Sequence, residues 1–138
     1  MANRNDFNQR IIDEFRTSGG KVGGPFEGRP LLLLHTTGAK TGRDLVHPLA
    51  YRRNGENLLV FGTKGGAPTH PDWYHNLRVN PRVTVELGSE RFDASAQVTD
   101  DGERDGLWRD AKKEIPVFAD YEQKTRRQIP VIVLERVA

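Results

Sequence analysis

The sequence predicts a mainly β (α+β) protein, with about six antiparallel strands in a small barrel and helices flanking it. Three observations predict this class. Strand-like runs recur at short spacing and are joined by hairpin signals, Asn54-Gly55 as a type I′ turn and Gly88-Ser89 as a second tight connection. Helical patterns do not alternate regularly with those strands, which argues against a doubly wound Rossmann arrangement. The length, 138 residues, suits one domain large enough to bury a real core. Residues 1–29 read as an N-terminal helix and connector, and residues 30–138 as the barrel.

The elements follow in order. Phe7, Ile11 and Phe15 recur at helical spacing, and Gly19-Gly20 supplies a stop, so residues 3–17 are expected to be helical. Residues 18–30 hold five glycines and two prolines and read as a connector. Leu31–Thr37 reads as a buried strand, Asp44–Arg53 as a second and Asn57–Thr63 as its return. Pro71 suits the first turn of a short helix that ends near Asn80-Pro81. Arg82–Leu87 and Arg91–Val98 form the next hairpin, with Val83, Val85 and Leu87 alternating as in a half-buried strand. Asp100 and Glu103 resemble a capping box for a helix that reaches about Glu114, with Leu107, Ala111 and Ile115 as its core stripe. Pro116 ends it. Val117–Arg127 reads as a polar, aromatic-bearing segment, and Ile129–Val137 as the last strand.

Composition excludes several chemistries. The chain has no cysteine, so disulfides, thiolate catalysis and cysteine-held metals are ruled out. Its four histidines show neither H-E-x-x-H nor another compact ligand set, so no metal is expected. No serine sits in G-x-S-x-G. The N-terminus lacks the apolar run of a signal peptide, and no apolar stretch approaches membrane-spanning length. A cytoplasmic protein is expected, with residues 3–17 as a candidate peripheral membrane contact because arginines interleave with Phe and Ile. Nucleic acid is not an expected partner, since the net charge is only +2. The charge is unevenly spread, however. Thr36–Arg82 holds seven Lys/Arg against three Asp/Glu, whereas Glu86–Glu114 holds five against nine. A localised basic surface of this kind suits an anionic small ligand.

That basic surface centres on two loops, T-T-G-A-K-T-G-R at 36–43 and T-K-G-G-A-P-T-H-P-D-W-Y at 63–74. Each combines glycines, hydroxyls and a lysine, so each can offer backbone N–H groups and a cation to an anion. The first is not a P-loop, because the G-x-x-x-x-G-K-[ST] spacing is absent and a hairpin follows it. An ordinary solvated turn is the plain alternative for the first loop. For Trp73 the alternatives are packing against a flat ring or anchoring the short helix in the core.

Residues 31–43, then H-P-L-A-Y-R-R-N-G-E-N-L-L-V-F-G-T-K-G-G-A-P-T-H-P-D-W-Y-H-N-L-R-V-N-P-R-V, and finally I-P-V-I-V-L-E-R closely resemble the deazaflavin-dependent nitroreductase family over roughly residues 30 to 137. The resemblance implies a split β-barrel of the flavin-reductase-like kind and an actinobacterial-type source. It implies coenzyme F-420, an 8-hydroxy-5-deazaflavin with a phosphate and a polyglutamate tail, rather than FMN. The implied activity is hydride transfer from the reduced deazaflavin to an electron-poor organic acceptor, a quinone, enone or nitroaromatic. The alternatives are an FMN-binding oxidoreductase on the same barrel and a non-catalytic deazaflavin carrier. A homodimer is also a candidate, since split barrels often pair.

Carried over residue by residue, the resemblance puts Lys40 on the coenzyme phosphate with Thr41 beside it. Leu45 stands where a second arginine is expected, so Arg43 is its candidate substitute. Thr63, Lys64, Gly65, Gly66 and Ala67 would border the coenzyme. His47, Pro48, Leu49 and Ala50 would lie along the ring, and Trp73, Tyr74 and Asn76 would complete the wall. Phe118 and Tyr121 would line the substrate pocket. Tyr121 is the candidate proton donor there, with a packing role as its alternative and solvent as the other proton source. Because Ile115 and Phe118 stand where hydroxyl-bearing side chains are expected, a quinone or enone-like acceptor is favoured over a nitro drug.

Overall fold

The computed structural model describes residues 4–20 and 31–137. In chain order its elements are α1 (Arg4–Thr17), β1 (Leu31–Thr37), β2 (Asp44–Asn54), β3 (Asn57–Phe61), α2 (Asp72–Val79), β4 (Arg82–Leu87), β5 (Glu90–Val98), α3 (Asp101–Glu114), α4 (Val117–Gln123) and β6 (Val131–Arg136). The six strands close into an antiparallel barrel in the order β1-β2-β3-β6-β5-β4. Most of the connector expected at 18–30 lies outside the described residues.

Period-two alternation sorts the side chains. Leu32 and Leu34 of β1, Leu58 and Val60 of β3, Val83 and Val85 of β4, Ala94 and Ala96 of β5, and Ile132 and Leu134 of β6 fill the barrel. Trp73, Tyr74 and Leu77 of α2 join the same core, so α2 stoppers one end of the barrel. Each fully buried aliphatic side chain contributes about 1.5–3 kcal/mol. On the outside, Leu59, Phe61, Val131 and Val133 pack against Trp108, Ala111 and Phe118 of α3 and α4.

Four sequence expectations need correction. β3 ends at Phe61 rather than Thr63: Gly62 still donates its N–H to Pro130 O at 3.0 Å, but Thr63 takes a helical φ/ψ of −72°, −42° and the chain enters a 3-10 turn at Lys64–Gly66. Val117–Gln123 is the helix α4 and not merely a polar segment. Its buried Phe118 packs on the second core, which compensates for a poor apolar pattern. In α3 the buried residues are Trp108 and Ala111, while Leu107 and Ile115 lie at the margin. The last strand starts at Val131 rather than Ile129. Asp100 caps α3 as expected, its carboxylate accepting the Glu103 N–H at 2.8 Å.

α1 buries Ile11, Ile12 and Phe15 on Leu31 and Leu33, beside Val46 and Ala50. Its anchor is ionic as well. Arg16 donates to both carboxylate oxygens of Glu86, at 3.1 and 2.7 Å, and His35 Nε2 lies 2.6 Å from the same carboxylate. The Arg16 hydrogen bond, assisted by His35 and opposed by burial, holds the Glu86 carboxyl down at about 2, against an ordinary value of 4.5. Because the folded value is depressed, the stability this carboxylate contributes is complete above about pH 4.5 and is lost as pH falls toward 2. Glu86→Gln is expected to flatten the acid limb of the unfolding curve across that window. Acid limbs of equal steepness in wild type and variant would contradict the clamp.

Candidate active site

The antiparallel order places both loops at one end of the barrel. The connection from β1 to β2 and the one leaving β3 emerge together, flanking β2, while the Asn54-Gly55 and Gly88-Ser89 turns lie at the other end. α2 and the segment entering β6 also belong to the loop end, since they follow β3 and precede β6.

β2 is the unusual strand. Residues Asp44–Ala50 pair with β1, but only Tyr51–Asn54 pair with β3. Above the Tyr51–Val60 pair the barrel therefore opens into a seam, with the first half of β2 on one side and the end of β3 with the second loop on the other. Among the described residues, no strand covers this edge. Every residue from Leu45 to Arg52 is half-buried, whereas Leu31–Thr36 of β1 and Leu58–Phe61 of β3 are fully buried. Pro48 sits in this stretch, and a proline is tolerated in a strand where its nitrogen points away from the ladder. An unpaired backbone edge with half-covered side chains is a surface that a flat, hydrogen-bonding ligand can complete.

The ring-side candidates divide by face. Leu49 borders the barrel core and Ala50 the α1 core; by alternation His47 points inward like Leu49, and Pro48 outward like Ala50. His47 Nε2 lies 3.1 Å from Thr36 Oγ1, which accepts a hydrogen bond from Asn76 Nδ2 at 3.2 Å. Asn76 Oδ1 in turn accepts the Ala39 N–H at 3.0 Å. This buried chain ties β2, β1 and α2 to the first loop. Burial pushes the His47 pKa down to about 4, so its imidazole is neutral at physiological pH.

The first loop is a tight, closed turn. Gly38 N–H donates to Arg43 O at 2.8 Å, Gly42 N–H donates to Gly38 O at 2.9 Å, and Gly42 takes a positive φ of 71°. The Thr41 hydroxyl folds back to accept the Arg43 N–H at 3.3 Å. Lys40, Thr41 and Arg43 are all exposed on this frame.

In the second loop Lys64, Gly65 and Gly66 have successive positive φ values of 45°, 63° and 84°. The two glycines serve different ends. Gly66 is buried, and a Cβ there would lie 2.7 Å from Tyr121 O and 2.9 Å from Lys124 Cβ, so its bareness lets α4 approach. Gly65 is exposed with open space where a side chain would be. Lys64 is half-buried and donates to Thr69 Oγ1 at 3.1 Å; Thr63 and Ala67 are half-buried beside it.

The remaining predicted residues are less open. Trp73 and Tyr74 are 5% and 8% exposed within the barrel core, so the core-anchor alternative describes Trp73 here. Asn76 is buried and its amide is committed to the chain above. Phe118 is 4% exposed and stacks on Trp108 with ring centroids 5.4 Å apart. Tyr121 is half-buried beside Phe118, and its backbone touches the second loop at Gly66. Sequence reasoning missed Arg127, which makes four hydrogen bonds to the second loop and His70. No spacing or motif around it signals that role. It also missed Thr36 as the junction of the buried chain.

The family model described as "F420H(2)-dependent quinone reductase" matches residues 8–136. The chain belongs to that family. An F420H(2)-dependent quinone reductase of Mycobacterium tuberculosis (strain H37Rv) is 39% identical over 126 residues, 88% of this chain and 85% of that protein. A solved F420-H2 dependent reductase, FDR-A, superposes with a TM-score of 0.70 at 38% identity, covering 78% of this chain and 95% of that one. A second solved structure, described as a domain-swapped dimer, has a TM-score of 0.72 and 34% identity over 96% of this chain and 100% of its own. The split-barrel fold, the oxidoreductase class and the use of coenzyme F-420 expected from the sequence all agree with membership in the quinone reductase family. The two loops and the open seam fit such a coenzyme, with exposed cations for an anionic tail and a half-buried edge for a ring. Among the described residues no group of three or more His, Cys, Asp or Glu side chains could hold a metal ion.

Proposed function

We propose that this quinone reductase binds reduced coenzyme F-420 in the seam beside the first half of β2, with the anionic tail between the two cationic loops. The observation that carries this reading is the pairing of β2, which leaves Asp44–Ala50 without a partner on the β3 side. When bound, the coenzyme supplies the hydride; the chain supplies binding, orientation and electrostatics. Lys40 and Arg43 attract the tail, and the edge of β2 from His47 to Ala50 receives the ring. The buried His47–Thr36–Asn76–Ala39 chain keeps that edge and the first loop in one frame. Tyr121, whose backbone lies against Gly66 of the second loop, carries a hydroxyl that can lend a proton to a reduced acceptor.

The acceptor class is a quinone, with an enone as the nearest chemical relative. The curated relatives are named quinone reductases, and the half-buried Ile115, at the margin of the second core, supplies no hydroxyl for a nitro group. Membrane attachment through α1 is not part of this reading, because Ile11, Ile12 and Phe15 are already spent on the barrel. Among the described residues no helix is long and apolar enough to cross a membrane.

An acceptor panel with the reduced deazaflavin, followed by its absorbance, tests the proposal. Turnover is expected with quinones, weaker turnover with enones, and little with a bicyclic nitroimidazole. Tight binding without acceptor-dependent oxidation would make the chain a carrier instead. Preference for FMN over F-420 in a parallel titration would overturn the coenzyme assignment.

A further inference from the structure

We infer that Arg127 is a positioning residue that aims the backbone amides of Thr63 and Lys64 at the anionic part of the coenzyme; the inference rests on the coenzyme reading above. Arg127 lies in the segment that leads into β6. Its Nε donates to Ala67 O at 2.9 Å, its NH2 to Thr63 O at 2.9 Å, and its NH1 to Gly62 O at 3.0 Å and to His70 Nδ1 at 2.9 Å. A guanidinium can only donate, so all four partners are acceptors and His70 is held with Nδ1 unprotonated. Together they enclose the second loop from Gly62 to His70.

The geometry of the peptide unit gives these bonds a consequence on the opposite side of the loop. In a planar trans peptide the C=O and the following N–H point in opposite directions. With the carbonyls of Gly62 and Thr63 drawn toward Arg127, the N–H groups of Thr63 and Lys64 point away from it. Arg127 belongs to the segment leading into β6, whose Pro130 O accepts the Gly62 N–H at 3.0 Å, so it approaches from the β6 side of β3, and β2 borders the other side. The two amides therefore face the side on which the β2 seam opens.

Two features of the loop agree. Lys64 holds φ at +45°, a left-handed conformation uncommon for a residue with a side chain. Such backbone persists only where the surroundings over-determine it. Here Arg127 grips the carbonyls before Lys64 and the one after Gly66, beside the turn's own bonds from Gly66 N–H to Thr63 O at 2.8 Å and from Ala67 N–H to Lys64 O at 3.1 Å. Gly65 beside it is exposed, with no atom within 4 Å of where a Cβ would stand, so a phosphate or carboxylate can approach the turn closely.

The closing experiment compares wild type with Arg127→Lys and Arg127→Met by coenzyme fluorescence titration, at a temperature where circular dichroism shows all three folded. Lysine keeps the charge but cannot span four acceptors. The dissociation constant for reduced F-420 is expected to rise about tenfold or more in both variants, the loss corresponding to charge-assisted hydrogen bonds that are no longer aimed. The KM for the coenzyme should rise with it while kcat at saturating coenzyme stays within about twofold, a split that general destabilisation does not produce. In wild type, the amide resonances of Thr63 and Lys64 should move when the coenzyme is added, which keeps the inference open to refutation even if the variants misfold. Wild-type affinity in Arg127→Lys, or unmoved Thr63 and Lys64 amides on a bound wild-type protein, overturns the role of Arg127 alone. Failure of the wild type to bind F-420 removes the coenzyme reading and this inference together.

Discussion

Replacing Lys40 with alanine is expected to weaken coenzyme binding by about ten- to a hundred-fold. A charge-assisted hydrogen bond contributes roughly 1.5–3 kcal/mol, and each 1.4 kcal/mol is about tenfold in affinity. Lys40 is exposed on a turn whose own amides and carbonyls bond to one another at Gly38, Gly42 and Arg43, so its removal leaves the frame intact. The loss should therefore appear in the dissociation constant and not in the unfolding midpoint. Wild-type affinity should also fall as salt rises, because exposed charges are screened, and the salt dependence should be shallower in Lys40→Ala. An unchanged dissociation constant would take Lys40 out of the site.

Trp108→Ala is expected to destabilise the fold by about 3–5 kcal/mol, the usual range for deleting a large buried aromatic. Trp108 is 2% exposed, stacks on Phe118 at an interplanar angle of 11°, and lies 6.1 Å from Phe61 of β3. Its indole N–H donates to Glu122, which also receives Lys112 Nζ at 3.0 Å. One side chain thus joins α3, α4 and the outside of the barrel. For a domain whose total stability is about 5–15 kcal/mol, this is a large fraction. Urea unfolding measures it, and a midpoint within experimental error of wild type would show that α3 and α4 are not held through Trp108.

The two predictions differ in how far the residues announced themselves. Lys40 lies in a motif, T-T-G-A-K-T-G-R, whose residue types already state their chemistry. Trp108 does not: the helical stripe in the sequence runs through Leu107, Ala111 and Ile115, and it misses Trp108, the largest fully buried side chain, by one position. A stripe of sparse apolar residues leaves the rotation of a helix loosely determined, and packing against Phe61 and Phe118 settles it. α4 was hidden for a related reason. It is seven residues long, too short for a helical period to show, and is held by Phe118, with Val117 and Tyr121 beside it on the second core, and by the approach of its backbone to Gly66.

Local patterning by itself located the strands, the hairpins and the cap of α3. Leu31–Thr37 and Arg82–Leu87 match their expected bounds, and Asp100 caps its helix, because alternation, turn residues and short side-chain-to-backbone bonds act over only a few residues. Motif order determined the family. Tertiary structure alone decided the rest. It split β2 between two partners, opened the seam above Tyr51, sank Trp73 and Phe118 into cores, and brought Arg127 back across more than fifty residues to Gly62, Thr63 and His70. Those are consequences of how distant strands register and which carbonyls a single guanidinium can reach. No local pattern encodes them, because the free energy that selects them exists only once the barrel has closed.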